Sequence, residues 1–302
     1  MFEFYDTIII GAGTAGLTAA IYTARNNKSV LILESNGIGG QISSSPVVEN
    51  YPGFNSISGA EFSDRLYEQA LSLGIDILIE AVDRIEIGSD NEKYIYSEDG
   101  KYKRSCNKII IATGQRPQML NIEDEDKFMG RGISYCAVCD GPFYKKKTVA
   151  VVGGGNAALQ SARLLSGICQ KVYLIHRRDG FRAENKLVNE LKCTDNIEFV
   201  LNSHIEKLSG EDELSGITLI NKITGGKFNL SISGLFISIG HIPNNEIFKG
   251  LINLDENGYI IASEDCRTNI AGVYAAGDCR TKSVRQLTTA AADGTVCALA
   301  LD

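Results

Sequence analysis

Residues 6 to 34 read DTIIIGAGTAGLTAAIYTARNNKSVLILE, and residues 148 to 176 read TVAVVGGGNAALQSARLLSGICQKVYLIH. Each stretch opens with a short β-branched run, passes through a glycine turn, continues in an Ala/Leu-rich segment compatible with a helix, and closes on a second β-branched run. Strand, turn, helix and strand therefore occur twice. The repeat predicts an α/β fold with two Rossmann-like dinucleotide-binding domains.

In the first copy Gly11, Gly13 and Gly16 form GxGxxG directly after a strand and at the start of a helix. The first glycine permits the tight turn, the second lets the backbone approach a pyrophosphate, and the third lets helix and strand pack closely. The helix start then offers N–H groups and a positive dipole end to the phosphates. Glu34 closes the unit, 23 residues after Gly11 (34 − 11), where a carboxylate can accept hydrogen bonds from ribose hydroxyls.

In the second copy the glycines are Gly153 and Gly155, and Ala158 takes the third place. The same count of 23 from Gly153 reaches His176, which opens HRRDGFR. A carboxylate there would repel a 2'-phosphate, whereas Arg177, Arg178 and Arg182 can hold one through forked, charge-assisted hydrogen bonds. The bland alternative is a solvated basic strand end. The pattern points to an adenine dinucleotide without a 2'-phosphate in the first half and NADP(H) in the second.

The 302 residues suffice for about two domains. Apolar content of 44% with 22% charge is that of an ordinary globular chain. A formal charge of −7 argues against a nucleic-acid partner. No run approaches the roughly 18 apolar residues of a membrane span, and the acidic start MFEFYD is unlike a signal peptide. A cytoplasmic protein is expected, in which a lasting structural disulfide is rare. Of eight cysteines only Cys136 and Cys139, in SYCAVCDG, form a short-range pair. Zinc would need a second CxxC or a His pair. His176, His204 and His241 are isolated, so no metal site is expected. The other six cysteines are expected to be small buried hydrophobes. Two dinucleotide sites beside one CxxC suggest an electron path from a nicotinamide through a flavin to a dithiol.

The chain resembles the low-molecular-weight thioredoxin reductases along nearly its whole length. The matching segments are GAGTAGLTAA, GIGGQISSSPVVENYPG, IIIATGQRP, CAVCDG, VVGGGNAA, HRRDGFRA, FISIGHIPN and YAAGDCRTKSVRQLTTAAADG, in the family's order. The resemblance implies an FAD-binding domain built from residues 1–114 and 244–302, with an NADP(H)-binding domain, residues 115–243, inserted between. It places Gly39, Gly40, Gln41, Asn50, Thr113 and Gly114 along the FAD, Asp278 on the ribitol chain, and Arg285 with Gln286 near the isoalloxazine. It makes Cys136 the thiol that exchanges with the partner's disulfide and Cys139 the one that meets the flavin. Asp140 becomes their proton donor and acceptor. The implied partner is thioredoxin and the implied assembly a homodimer. Rotation of the inserted domain about its two linkers would let one dithiol serve both flavin and partner.

Departures from the family pattern leave both cysteines in place and fall mostly in the nucleotide-binding segment and near the flavin. Where many members read GGGDSAxEEA this chain has GGGNAALQSA, Val138 stands where Thr is usual, and Ala292 stands where glycine is usual. HRRDGFR favours NADPH as donor, while NAALQSA leaves room for reduced ferredoxin, the donor in a subset of similar flavoproteins. The related ferredoxin or flavodoxin NADP reductases lack a CxxC. Alkyl hydroperoxide reductase flavoproteins carry an added N-terminal dithiol domain, whereas Met1 lies only ten residues before Gly11. A non-enzymatic flavin-binding module would keep the pocket without the chemistry.

Overall fold

The computed structural model describes residues 3–45, 47–89 and 91–300. The chain divides into two compact units, Met1–Arg116 with Ile242–Asp302, and Pro117–His241. The strands that carry the chain across, Gln115–Pro117 and His241–Pro243, pair with each other as a two-stranded ribbon.

In the first unit the strands Asp76–Ile79, Val30–Glu34, Glu3–Ile10 and Tyr102–Ile111 lie side by side and parallel. The ten-residue strand Tyr102–Ile111 is shared. Its first half pairs with Lys93–Ser97, which in turn pairs antiparallel with Val82–Ile87, and its last residues pair in parallel with Val273–Ala275. Unbroken apolar runs are what strands covered on both faces require. Period-two geometry sends Ile9, Ile32 and Ile110 into one core with the helices Thr14–Arg25 and Leu287–Leu299. Ile8, Ile10, Leu31, Leu33, Ile109 and Ile111 enter a second core closed by Phe248, Ile252 and Ile260. Ile8, Ile9, Leu31 and Ile32 are fully buried, each adding roughly 1.5–3 kcal/mol of hydrophobic stabilisation.

The second unit repeats the plan. Ile197–Val200, Lys171–Ile175, Thr148–Val152, Gly234–Ile237 and Ile133–Ser134 form a five-stranded parallel sheet. One face packs Val149, Val151, Val172 and Leu174 on the helices Asn156–Ser166 and Asn185–Lys192. The other packs Ala150, Leu235 and Ile237 on a three-stranded antiparallel sheet, Ser203–Gly210, Leu214–Asn221 and Lys227–Ser231, through Ile205, Ile217 and Leu219.

The longer helices differ in how their starts are capped. Gly59–Ser72 is capped by Ser58, whose hydroxyl accepts the Glu61 N–H at 3.1 Å, and Leu287–Leu299 has a reciprocal cap between Gln286 and Thr289. Thr14–Arg25 begins at Gly13 and Asn156–Ser166 at Gly155, both without a side-chain cap. The two helices of the sequence repeat thus leave their first-turn N–H groups to something other than a side chain.

A buried ion cluster holds the closing helix of the first unit. Asp293 accepts from Arg280 at 2.7 and 2.8 Å, from Lys282 Nζ at 2.8 Å and from the Gly277 N–H at 2.9 Å. Burial works against the Asp293 charge, but the bonds from Arg280 and Lys282 outweigh it and hold the carboxyl below the ordinary range. That contribution is present above the unfolded carboxyl value of about 3.9 and is lost as pH falls through the lower folded value. Replacing Asp293 by Ala leaves two buried cations uncompensated, and equilibrium urea unfolding is expected to show a loss of about 3–5 kcal/mol.

Candidate active site

The first glycine turn is built by close backbone contact. Gly11 has φ +108°, and its N–H donates to Leu33 O at 2.8 Å. A Cβ on Gly16 would sit 1.9 Å from Gly11 O, whereas one on Gly13 would meet nothing closer than Gly39 O at 3.9 Å. Gly16 is therefore fixed by packing, and Gly13 leaves the mouth of the turn open. The Glu34 carboxylate accepts the Ala12 N–H at 2.7 Å on one oxygen and the Asn36 N–H at 2.9 Å on the other. Expected as a ribose acceptor, it also braces the turn, and each oxygen keeps a second lone pair.

Around this turn the first unit gathers the other residues the sequence singled out. Gly39 donates its N–H to Ala12 O at 2.8 Å, and Gly39 and Gly40 have φ of +100° and +64°. The Gln41 amide donates to Gln115 O. Asn50 donates to Gln286 Oε1 at 3.2 Å, joining positions 236 residues apart. Thr113 donates its hydroxyl to Asn245 Oδ1 at 3.1 Å, and Gly114 has open space where a side chain would point. Asp278 Oδ2 accepts from Gln115 Nε2 at 3.3 Å, and Gln115 Oε1 accepts from the Tyr259 hydroxyl at 3.0 Å. Arg285 lies over the Tyr259 ring, 4.3 Å from its centroid. Asn245 fixes this corner by donating to Gly258 O at 2.9 Å and Cys279 O at 2.8 Å.

Two buried atoms here have no partner among the described residues, the acceptor Asp278 Oδ1 and the donor Arg285 Nε. Burial pushes the Asp278 carboxyl up, with Lys282 and Arg285 pulling the other way. An unpaired buried acceptor and an unpaired buried donor in this corner suit a ligand that both donates and accepts hydrogen bonds. With the uncapped helix and the open turn, this donor set fits a flavin dinucleotide.

The second unit offers a matching cradle. A Cβ on Gly153 would meet Ser238 O at 2.3 Å, while Gly155 has nothing within 4 Å. Ala158, in the third place, is fully buried. The loop after the second strand folds back on the turn, with Arg182 N–H donating to Gly154 O at 2.7 Å and Glu184 N–H donating to Asn156 Oδ1 at 2.9 Å. Asn156, a departure from the family pattern, thus helps shape the cradle. Arg177, Arg178 and Arg182 are exposed. His176 differs from them: it is buried, stacks on Phe181 at 5.2 Å, and its Nε2 has no partner among the described residues. Burial, then the three neighbouring guanidiniums, lower its pKa and favour the neutral ring.

The cysteine pair lies in the same unit and is closed as a disulfide. Cys136 opens the one-turn helix Ala137–Asp140, and its Sγ accepts the Cys139 N–H at 3.1 Å. The short helix packs on Asn156–Ser166, the helix that follows the second glycine turn. Asp140 N–H donates to Cys136 O at 3.0 Å, and the Asp140 carboxylate accepts the Ser134 hydroxyl at 2.6 Å. Of the other six cysteines five are buried, but Cys193 is exposed. It corrects the expectation of six buried thiols: it caps the helix Asn185–Lys192 at its outer end and faces away from the core.

Residues 5–294 match the family model described as pyridine nucleotide-disulphide oxidoreductase. The chain belongs to this family. A protein of Clostridium pasteurianum described as the 34.2 kDa protein in the rubredoxin operon is 44% identical over 97% of this chain and 95% of its own length. A thioredoxin reductase of Mycoplasma genitalium is 43% identical over 98% and 93%. Among solved structures, the thioredoxin reductase of Streptococcus pyogenes MGAS5005 is 37% identical over 99% of this chain and 97% of that one, with a TM-score of 0.87. Ser134, Tyr259 and Asn245 are residues of the site that no family motif picked out.

The state of His176 is directly measurable. Its ring resonances in an NMR titration are expected to change at a pH below the ordinary imidazole value of about 6.5. Between the two values the unfolded chain binds more protons than the folded one. This group therefore removes stability as pH falls below about 6.5.

Proposed function

We propose that this chain is an FAD-dependent thioredoxin-disulfide reductase that draws its electrons from NADPH. The observation that carries the reading is the Cys136–Cys139 disulfide, held in the same unit as a glycine cradle ringed by Arg177, Arg178 and Arg182. The relatives named thioredoxin reductase support it over nearly their whole length. We assign residues 1–114 and 244–302 to FAD and 115–243 to NADP(H) and the dithiol.

The amides at Gly11–Gly16 would take the FAD pyrophosphate, Glu34 its adenosine ribose, and Gly39, Gly40, Gln41, Asn50, Thr113 and Gly114 its flank. Asp278 would take the ribityl hydroxyls, and Arg285 with Gln286 the ring system. When bound, FAD supplies a carrier for two electrons between a nicotinamide hydride and a disulfide. Gly153, Gly155 and Ala158 would admit the NADPH pyrophosphate, His176 would line the pocket, and the three arginines would clasp the 2'-phosphate. In the reduced chain the Cys136 thiolate attacks the partner's disulfide. Cys139 then attacks the mixed disulfide, the Cys136–Cys139 bond re-forms, and the partner leaves with two thiols. Asp140 takes the proton from Cys139 as its sulfur becomes nucleophilic.

A protein partner suits the surface beside the disulfide, where Val138 and Phe143 are 65% and 55% exposed. A homodimer also belongs to this reading. Asp293 is the one charged residue of the helix Leu287–Leu299 and is buried, so the outward positions Thr288, Ala292, Val296 and Leu299 form an uncharged face. No helix among the described residues is long and apolar enough to cross a membrane. Free thiols elsewhere in the chain suit a reducing cytoplasm.

The donor is tested by mixing the anaerobic yellow holoenzyme with a slight excess of NADPH and following flavin absorbance. Fast bleaching is expected. Replacing Arg177, Arg178 and Arg182 together by Ala should raise the NADPH KM by about 10–100-fold, the size expected for losing charged hydrogen bonds, with little effect on NADH. A flavin that ignores NADPH, with thioredoxin reduced only when reduced ferredoxin is supplied, would overturn the assignment of the donor. Cys136→Ser and Cys139→Ser should each abolish thioredoxin reduction while leaving the protein yellow.

A further inference from the structure

We propose that Ser134 is a positioning residue for the dithiol, holding the Asp140 carboxylate and the Cys136 backbone in one arrangement. The inference rests on the thiol-disulfide reading above. Ser134 ends the strand Ile133–Ser134 and is 4% exposed. Its oxygen accepts the Cys136 N–H at 3.1 Å. Its single proton has two acceptors within reach, Asp140 Oδ2 at 2.6 Å and Cys136 O at 3.3 Å. The shorter contact goes to a charged oxygen and lies in the range of strong O–H···O⁻ bonds, so it takes the proton. The hydroxyl is thereby polarised in one direction, from the amide of the attacking cysteine to the carboxylate that serves the pair.

Asp140 Oδ1 takes no hydrogen bond among the described residues. With Oδ2 tied to a strand end, Oδ1 is the oxygen left to exchange a proton with a thiol. Asp140 stands at the end of a one-turn helix, too short to fix a side chain by itself. The Asp140 N–H to Cys136 O bond at 3.0 Å sets the main chain, and Ser134 sets the carboxylate. Proton transfer depends steeply on such placement, because a misplaced group must be reoriented before each transfer.

The test is reduction of the Cys136–Cys139 disulfide by dithiothreitol, with NADPH, ferredoxin and thioredoxin absent. One dithiothreitol thiolate attacks and the S–S bond breaks. The second thiolate releases the other protein sulfur as the cyclic oxidised dithiothreitol forms. Two electrons reach the chain, and two protons given up by dithiothreitol are balanced by two taken up at Cys136 and Cys139. Holoenzyme with S134A should react about tenfold more slowly, less than the roughly 100-fold at the lower end of what a positioned proton-transfer group supplies, because Asp140 itself remains. S134T, which keeps the hydroxyl, should lie within about twofold of the unaltered chain, and S134A added to D140N should cost less than about twofold, since the two residues act as one unit.

An unchanged rate in S134A, or the same tenfold loss in the D140N background, overturns the proposal. The second outcome would mean that Ser134 matters only through the Cys136 N–H. A second measurement leaves position 134 intact. The Ser134 hydroxyl proton should give a slowly exchanging NMR signal that vanishes in D140N; a signal unaffected by D140N also overturns the proposal. An unaltered chain that dithiothreitol does not reduce would instead count against the thiol-disulfide reading itself.

Discussion

Everything in this chain depends on how closely a strand and the following helix approach each other at a turn. In the first unit a Cβ on Gly16 would lie 1.9 Å from Gly11 O, so a side chain there would force the helix off the sheet. In the second unit Gly153 and Ala158 meet in the same way, with 2.5 Å between the Ala158 methyl and a Cβ on Gly153. Close approach brings each helix start up against the end of its strand. The missing side-chain caps at Gly13 and Gly155 then leave amide donors for phosphate oxygens. The dithiol is organised by the same element, because its one-turn helix packs on Asn156–Ser166.

How much of this can be read from sequence follows from the range of each interaction. Glycine turns, β-branched runs and the CxxC are local, and their chemistry is complete within about thirty residues. They reveal both glycine turns and the cysteine pair. Gln115, Tyr259 and Asp278 form one chain of hydrogen bonds across 163 positions, and no spacing rule connects them. Ser134 is hidden for another reason: a serine two residues before a cysteine is commonplace, and its role depends on the strand end that aims its hydroxyl. Asn156 reads as a departure from the family pattern, yet its carbonyl holds the folded-back loop at Glu184. Residue identity alone does not distinguish loss of function from a different way of building the same cradle.

The contrast between His176 and its three arginine neighbours has the same origin. One basic run contains a buried neutral ring under Gly154 and exposed cations that depress its protonation. Sequence spacing placed all four together, but only packing separates the residue that forms the floor from those that present charge. A buried imidazolium beside three guanidiniums would be doubly penalised, by desolvation and by like charge. Desolvation first, and the three guanidiniums after it, both favour the neutral form of His176.

The unpaired cysteines have a bearing on how faithfully electrons travel. Thiol exchange is a chemistry any thiolate can join, so a protein that carries a reactive disulfide among six other cysteines runs the risk of internal short circuits. Burial removes part of that risk by pushing Cys106 up to about 12 and Cys169 and Cys279 up to about 11, whereas Cys266, lowered by its hydrogen bond with Cys297, is protected only by being out of reach in the core. The core thus insulates the circuit as well as supporting the fold. Cys193 alone among the free cysteines is exposed, which makes it the natural attachment point for a single spectroscopic label whose chemistry need not disturb the working pair.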